Sequence, residues 1–250
     1  MDLSLFQLTN LILIALLVFL VIRFIWITLF HSANQPAAWK EAWSANQLPA
    51  TLVRKERFYP DKVRFFTWWL QAERLKRENI SGAYAELGVY KGDSAMLLHL
   101  MDPARKFYLF DTFEGFPEED LNGETGKAST YTAQSFADTS ISRVVQRING
   151  NQLVEIVPGY FPDSAKGLTD ETFALVNIDV DLYKPTKAGL DYFYPRMNLG
   201  GVILVHDYNP KWPGVIRAAD EFLLAIPETP ILIPDRDGTL MIVKSERRKT

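Results

Sequence analysis

The residues best placed to do chemistry stand where apolar runs stop. The first such run ends in Glu86-Leu-Gly-Val-Tyr-Lys-Gly-Asp-Ser94. Gly88 and Gly92 permit a tight turn and let a ligand approach the backbone closely. A helix beginning just after them would aim its N-terminal N–H groups at the same place. A dinucleotide fingerprint requires G-x-G-x-x-G, and Tyr90 stands where its second glycine belongs. Asp111 closes the next apolar run, 25 residues past Glu86. At the end of a second strand it can accept hydrogen bonds from both ribose hydroxyls of a nucleoside, or serve only as a helix N-cap. Farther on, one run ends in Asp179 and Asp181, and another in His206 and Asp207. Carboxylates at two adjacent strand ends suit a hard divalent cation such as Mg²⁺. Such a cation could hold a substrate hydroxyl and lower its pKa, with Asp179 or a neighbour taking the proton. The alternative is that these acids cap helices or bind arginines of the preceding segment.

These residues need elements that bring them together. The runs Ala83–Leu87, Phe107–Phe110, Leu153–Val157, Phe173–Ile178 and Val202–Val205 are almost wholly apolar, as strands buried on both faces should be. Helical stretches around Ser94–Met101, Ser140–Ile148, Thr186–Tyr194 and Gly214–Ala225 separate or follow them. The alternation predicts an α/β fold, a Rossmann-like, doubly wound and mostly parallel sheet. Ile231–Ile233 and Thr239–Val243 flank an Asp237-Gly238 turn signal, so the sheet should end in an antiparallel hairpin. Ligands of such sheets bind beyond the carboxyl ends of the strands. The segment Asp111–Tyr131 is long enough to cover a substrate there. Residues 61–79 read as an amphipathic helix with Val63, Phe66 and Leu70 on one face.

Composition excludes several classes. The 250 residues contain no cysteine, hence no disulfide, thiolate nucleophile or zinc–thiolate site. A net charge of −3 offers no electrostatic footprint for nucleic acid. The charge is unevenly spread. Residues 1–30 hold only Asp2 and Arg23, whereas residues 31–82 hold nine Lys/Arg against five Asp/Glu. From Leu11 to Phe30, 20 residues carry one charge, enough for a helix of roughly 30 Å, the thickness of a bilayer core. Arg23 can snorkel to the interface and Trp26 fits an aromatic belt. Lys40, Arg54, Lys55 and Arg57 follow this stretch and no Lys or Arg precedes it. The positive-inside rule then gives a single-pass membrane protein whose body faces the cytoplasm. The expected organisation is an anchor over 1–30, a basic, Trp-containing connector over 31–60 and a catalytic domain over 61–250. Trp39 and Trp43, four apart, could share a helix face toward lipid or pack on the body.

Taken together, the segments Ala85–Gly92, Tyr108–Pro117, Phe136–Ser140, Gly159–Ser164, Ile178–Tyr183, Leu199–Val202 and His206–Tyr208 resemble the macrocin O-methyltransferase (TylF/MycF-type) family of class I S-adenosylmethionine-dependent methyltransferases. The phrase Leu109–Asp120 is the most specific piece. The resemblance implies methyl transfer from S-adenosylmethionine to a hydroxyl oxygen, of a sugar in the best-known members, with Mg²⁺. It implies that Glu86, Gly88, Tyr90, Gly92, Ser94, Asp111, Thr112, Ser140, Gly159 and Phe161 hold the cofactor, with Asp111 on the ribose. It makes Asp179 the general base and a metal ligand, and places the paired metal-binding acids at positions 206 and 207. Here the chain departs from the family, because His206 replaces the first acid of that pair. Three outcomes follow: Mg²⁺ held by Asp179, Asp207 and Asp181; a softer metal such as Mn²⁺, Fe²⁺ or Zn²⁺ that tolerates imidazole; or no metal, with His206 as the base. A non-catalytic membrane-tethered adaptor of the same fold is the competing class. A nucleotide-dependent oxidoreductase is disfavoured by the failed fingerprint. The anchor points to a small-molecule or lipid-linked sugar as acceptor, and the neck helices could pair subunits into a homo-oligomer.

Overall fold

A computed structural model describes residues 4–31 and 35–245. The parts of the expected segments at 1–3, 32–34 and 246–250 lie outside the described residues. The chain divides into two compact units, Met1–Phe58 and Tyr59–Thr250.

In the first unit, α1 (Leu5–His31) has apolar residues all round and no polar stripe, so nothing in its sequence directs one face inward. Its stretch Leu5–Trp26 has a mean hydropathy of 2.7 and is fully exposed, and it is long and apolar enough to cross a membrane. Two short helices follow, α2 (Ala37–Ser44) and α3 (Ala50–Phe58). Gln35 Nε2 donates to Glu56 Oε2 at 3.2 Å, tying the residues before α2 to α3. Trp39 is buried and Trp43 exposed, so the two do not share an environment despite their spacing.

In the second unit, α4 (Lys62–Arg77) begins where the Asp61 carboxylate accepts from the Arg64 N–H. It ends on Arg74, Lys76 and Arg77, which favour the negative end of the helix dipole. Its buried face is Phe65, Phe66, Trp68, Trp69, Ala72 and Leu75. Val63 and Leu70 point to solvent, contrary to the expected face, because the larger aromatic side chains bury more area and turn the helix toward them.

The sheet has seven strands: β1 (Ala83–Leu87), β2 (Phe107–Asp111), β3 (Val154–Pro158), β4 (Phe173–Ile178), β5 (Met197–Val205), β6 (Ile231–Ile233) and β7 (Thr239–Val243). Their order is β3-β2-β1-β4-β5-β7-β6. The first five pair in parallel, and β7 runs antiparallel to both β5 and β6. The expected doubly wound sheet with a terminal antiparallel pair is therefore present. What the turn signal did not convey is that β7 inserts between β5 and β6. Helices α5 (Asp93–Met101), α6 (Glu118–Leu121), α7 (Ile141–Ile148), α8 (Tyr183–Phe193) and α9 (Pro213–Leu223) complete the fold. β1 and β4 are buried along their whole length, which explains their unbroken apolar character.

Register decides what meets at the strand ends. Leu87 lies opposite both Phe110 and Ile178, and Ile178 lies opposite Val205. The next residue of each strand therefore comes out at one level: Gly88, Asp111, Asp179 and His206. Strand order reverses between β1 and β4, the place where open α/β sheets leave a crevice.

Candidate active site

The crevice is real. A cavity over the ends of β1, β2 and β4 is lined by Gly88, Tyr90, Asp111, Thr112, Asp179 and Asp181, with Gly159, Tyr160 and Phe161 on one wall. Phe116, Pro117 and Asp120 of the segment after β2 form another wall, together with Phe136. The segment expected to cover a substrate thus does border the cavity.

Gly88 has a local reason. Its φ is +89°, and a Cβ there would lie 1.9 Å from the Asp179 carbonyl oxygen. Gly88 N–H donates to Phe110 O and Asp179 N–H to Leu87 O, both at 2.9 Å, so the three strand ends are laced together with no room for a side chain. Several non-glycine residues here also have left-handed backbones: Tyr90 (φ 49°), Phe113 (57°), Asp181 (61°) and Asp207 (59°). Such residues are uncommon, and their concentration at one sheet edge marks a site where surrounding structure holds strained backbone in place.

Asp111 holds the loops. Its Oδ2 accepts from the Val89 and Tyr90 N–H groups at 2.7 and 2.8 Å, and Oδ1 from the Phe113 N–H at 2.7 Å. One lone-pair site, on Oδ1, remains to face a ribose hydroxyl. Tyr90 OH donates to Asp138 at 2.6 Å and Thr139 OH to Tyr90 O at 2.6 Å, so the segment before α7 folds over the first loop.

Not every expected cofactor residue reaches the cavity. Gly92 and Ser140 are cap residues: Gly92 precedes α5 with φ 78°, and the Ser140 hydroxyl accepts from the Arg143 N–H. Ser94 sits in the first turn of α5 beside Glu86. Glu86 is buried beneath the loop and accepts from Asn177 Nδ2 at 2.8 Å. Burial pushes its carboxyl up to about 8, against the pull of Ser94 and Asn177.

Asp179 faces the cavity. Burial raises its carboxyl to about 7, the Asp207 charge adds to the rise, and the Arg64 guanidinium opposes it. Asp181 and Asp207 lie close enough for each to influence the other's ionisation. Burial raises both carboxyls; Asp179 raises Asp181 further, and Asp181 raises Asp207.

His206 and Asp207 do not line the cavity. His206 is 2% exposed. Its Nε2 lies 2.5 Å from Asn177 Oδ1 and its Nδ1 2.9 Å from Thr239 Oγ1. Burial, helped by the nearby Arg64 charge, holds the imidazole well below its usual pKa. Thr239 also donates to Asp235 Oδ2 at 2.6 Å, and Arg64 Nε donates to the same oxygen at 2.9 Å. A buried polar chain therefore runs Glu86–Asn177–His206–Thr239–Asp235–Arg64. Among the described residues, no group of three or more His, Asp or Glu side chains is arranged to hold a metal ion. With both ring nitrogens of His206 engaged and His206 and Asp207 away from the cavity, the donor set does not fit an octahedral oxygen-ligated cation.

Sequence reasoning gave no site role to Phe116, Pro117, Asp120, Phe136, Tyr160 or Arg64. The first five lie within or beside the quoted segments and were findable as aromatic and acidic residues there. Arg64 lies 115 positions before Asp179, and no spacing rule connects a helix to a strand end across that distance.

A sheet of this order with a carboxylate-edged crevice at its switch point defines the doubly wound α/β class with a strand-end ligand site. Within that class the chain belongs to the Macrocin-O-methyltransferase (TylF) family, whose pattern it matches over residues 62–231. Demethyldecarbamoylnovobiocin O-methyltransferase of Streptomyces niveus is 29% identical over 172 residues, which are 64% of this chain and 65% of that protein. Mycinamicin III 3''-O-methyltransferase of Micromonospora griseorubida is 27% identical over 149 residues, 54% of this chain and 59% of that protein. The matches thus span less than two thirds of these relatives' length. The solved structure of the O-methyltransferase NovP superposes with a TM-score of 0.66 at 26% identity, covering 74% of this chain and 81% of that one. Calicheamicin methyltransferase CalS11 shares the fold, with a TM-score of 0.59 at 22% identity over 88% of this chain and 90% of that one.

Proposed function

We propose that this chain is an S-adenosylmethionine-dependent O-methyltransferase that acts on a hydroxyl of a sugar or sugar-bearing compound. The observation that carries the reading is the single cavity wall on which Gly88, Asp111 and Asp179 meet, in a chain of this family. Two relatives bear names that state O-methylation, one of demethyldecarbamoylnovobiocin and one of mycinamicin III at its 3'' position, and those names support a similar acceptor class.

The chemistry asks for alignment and for removal of one proton. The acceptor oxygen attacks the sulfonium methyl in line, the new C–O bond forms as the C–S bond breaks, and the electron pair stays on sulfur. The hydroxyl proton passes to Asp179, whose carboxyl near 7 suits a base working at neutral pH. Asp111 holds the loop that borders the cofactor side, and Gly88 lets the cofactor approach the strand ends. A divalent cation such as Mg²⁺ would lower the acceptor's pKa, but the residues present at the strand ends do not fit it.

The apolar stretch Leu5–Trp26 supports a membrane anchor, with the 59–250 body on the cytoplasmic side and a lipid-linked or membrane-made glycan as acceptor. Calorimetric titration of the full chain in detergent micelles with S-adenosylmethionine tests the activity class. Absence of binding removes it. Labelled S-adenosylmethionine added to membranes should place label in the lipid or glycan fraction; label confined to soluble metabolites overturns the acceptor assignment.

A further inference from the structure

We infer that Glu124 is a positioning residue that clasps the cover segment Asp111–Tyr131 onto the starts of α8 and α9, so that closing the cavity wall and fixing the turn that carries Asp179 are one event. The consequence for turnover rests on the methyltransferase reading; the geometry of the clasp does not.

Neither helix brings its own cap. The first N–H groups of a helix need acceptors, but the N-cap residues are Leu182 for α8 and Trp212 for α9, and neither side chain offers one. Glu124 supplies the acceptor from another part of the chain. Its Oε1 accepts from the Tyr183 N–H, the first of α8, at 2.6 Å. Its Oε2 is buried and lacks a hydrogen-bond partner among the described residues. That oxygen lies against Gly214 in the first turn of α9, where a Cβ would stand 2.2 Å from it. Both helix dipoles favour a carboxylate in this place. The unpaired oxygen costs desolvation in the closed form, which makes the clasp releasable rather than permanent.

What the clasp joins bears on the reaction. On one side is the turn Asp179–Tyr183. Asp179 N–H is held by Leu87 O at 2.9 Å, Asp181 has a left-handed φ of 61°, and Tyr183 N–H is held by Glu124. Strained backbone persists only where its surroundings fix it, and Glu124 fixes the far end of this turn. On the other side is the cover, whose Phe116 and Asp120 line the cavity. Lys184 of α8 donates to Glu119 O and lies 3.4 Å from the Asp120 carboxylate. Lys127 N–H donates to Lys211 O at 2.7 Å, and Trp212 Nε1 donates to Tyr131 OH at 3.2 Å. The cover's ties thus run to the starts of α8 and α9, and Glu124 reaches both.

Hydrogen–deuterium exchange of the full-length protein in detergent micelles reads the clasp without cofactor or acceptor. Glu124→Ala should speed exchange about tenfold in the cover (116–131) and in the turn (179–186) together, while β5 exchanges as in the parent. Gly214→Ala is a second route to the same state. Alanine is the better helix former, yet its Cβ displaces the carboxylate, so the same two regions should loosen with no loss of global stability in urea. Acceleration confined to the turn, or an unchanged cover, overturns the inference and leaves Glu124 a plain helix cap. If Glu124→Ala does not fold, Gly214→Ala decides alone. Label transfer from S-adenosylmethionine to membrane extract should fall about tenfold in both variants, with cofactor affinity by calorimetry within about threefold of the parent. Loosened exchange with unchanged transfer also overturns the positioning role. Absence of cofactor binding in the parent removes the methyltransferase reading and leaves the exchange result standing.

Discussion

At the scale of single residues, two buried carboxyls give opposite kinds of prediction. Asp179 must be ionised to accept a proton, and its carboxyl is raised to about 7. The methyl-transfer rate should therefore climb about tenfold per pH unit at acid pH and level off above neutrality. Asp179→Asn should lower turnover by about 10²–10⁴-fold while leaving cofactor binding in place, measured as single-turnover label transfer to membrane extract. Glu86 has no such duty. In the folded chain it keeps its proton up to about 8, against the usual 4.5 when unfolded. A raised folded-state pKa stabilises below the unfolded value, and that contribution is lost as pH rises through the folded one. Stability of the parent should thus fall between about pH 5 and 8, and Glu86→Gln should flatten that slope by up to about 1.4 kcal/mol per pH unit, read from denaturant unfolding across pH. An unchanged slope would mean that Glu86 is ionised in the fold.

At the scale of elements, the strand ends and α4 are the parts to perturb. Gly88→Ala puts a Cβ 1.9 Å from the Asp179 carbonyl and forces a left-handed φ on alanine. It should abolish cofactor binding and destabilise by roughly 1–3 kcal/mol or more. Trp68→Ala removes a fully buried indole from α4 and should destabilise by about 3–5 kcal/mol, checked by chemical unfolding. Most elements were legible in the sequence because local alternation encodes them: β1, β4, β6 and β7 occupy the residues their apolar runs marked. The buried face of α4 was not, because periodicity alone favours any regular apolar stripe, whereas packing selects the stripe with the largest aromatic area. The insertion of β7 between β5 and β6 was also hidden, since a turn signal says that two strands pair and not which neighbour receives them.

At the scale of the whole molecule, charge and hydropathy are segregated along the chain, and this sets the last prediction. The full-length protein should sediment with membranes and resist alkaline carbonate, whereas a chain beginning at Tyr59 should remain in the supernatant. Release of the full chain by carbonate would remove the anchor from the proposal. The sequence by itself determined the fold class, the family and the placing of Gly88, Asp111 and Asp179 at the ends of apolar runs, because these follow from contiguous residues and strand-length runs. Only the tertiary structure decided the roles of His206 and Arg64. The neighbours that define them, Thr239, Asp235 and Asn177, come from β7, from the turn before it and from β4. Their convergence is a matter of strand order, which no local pattern carries.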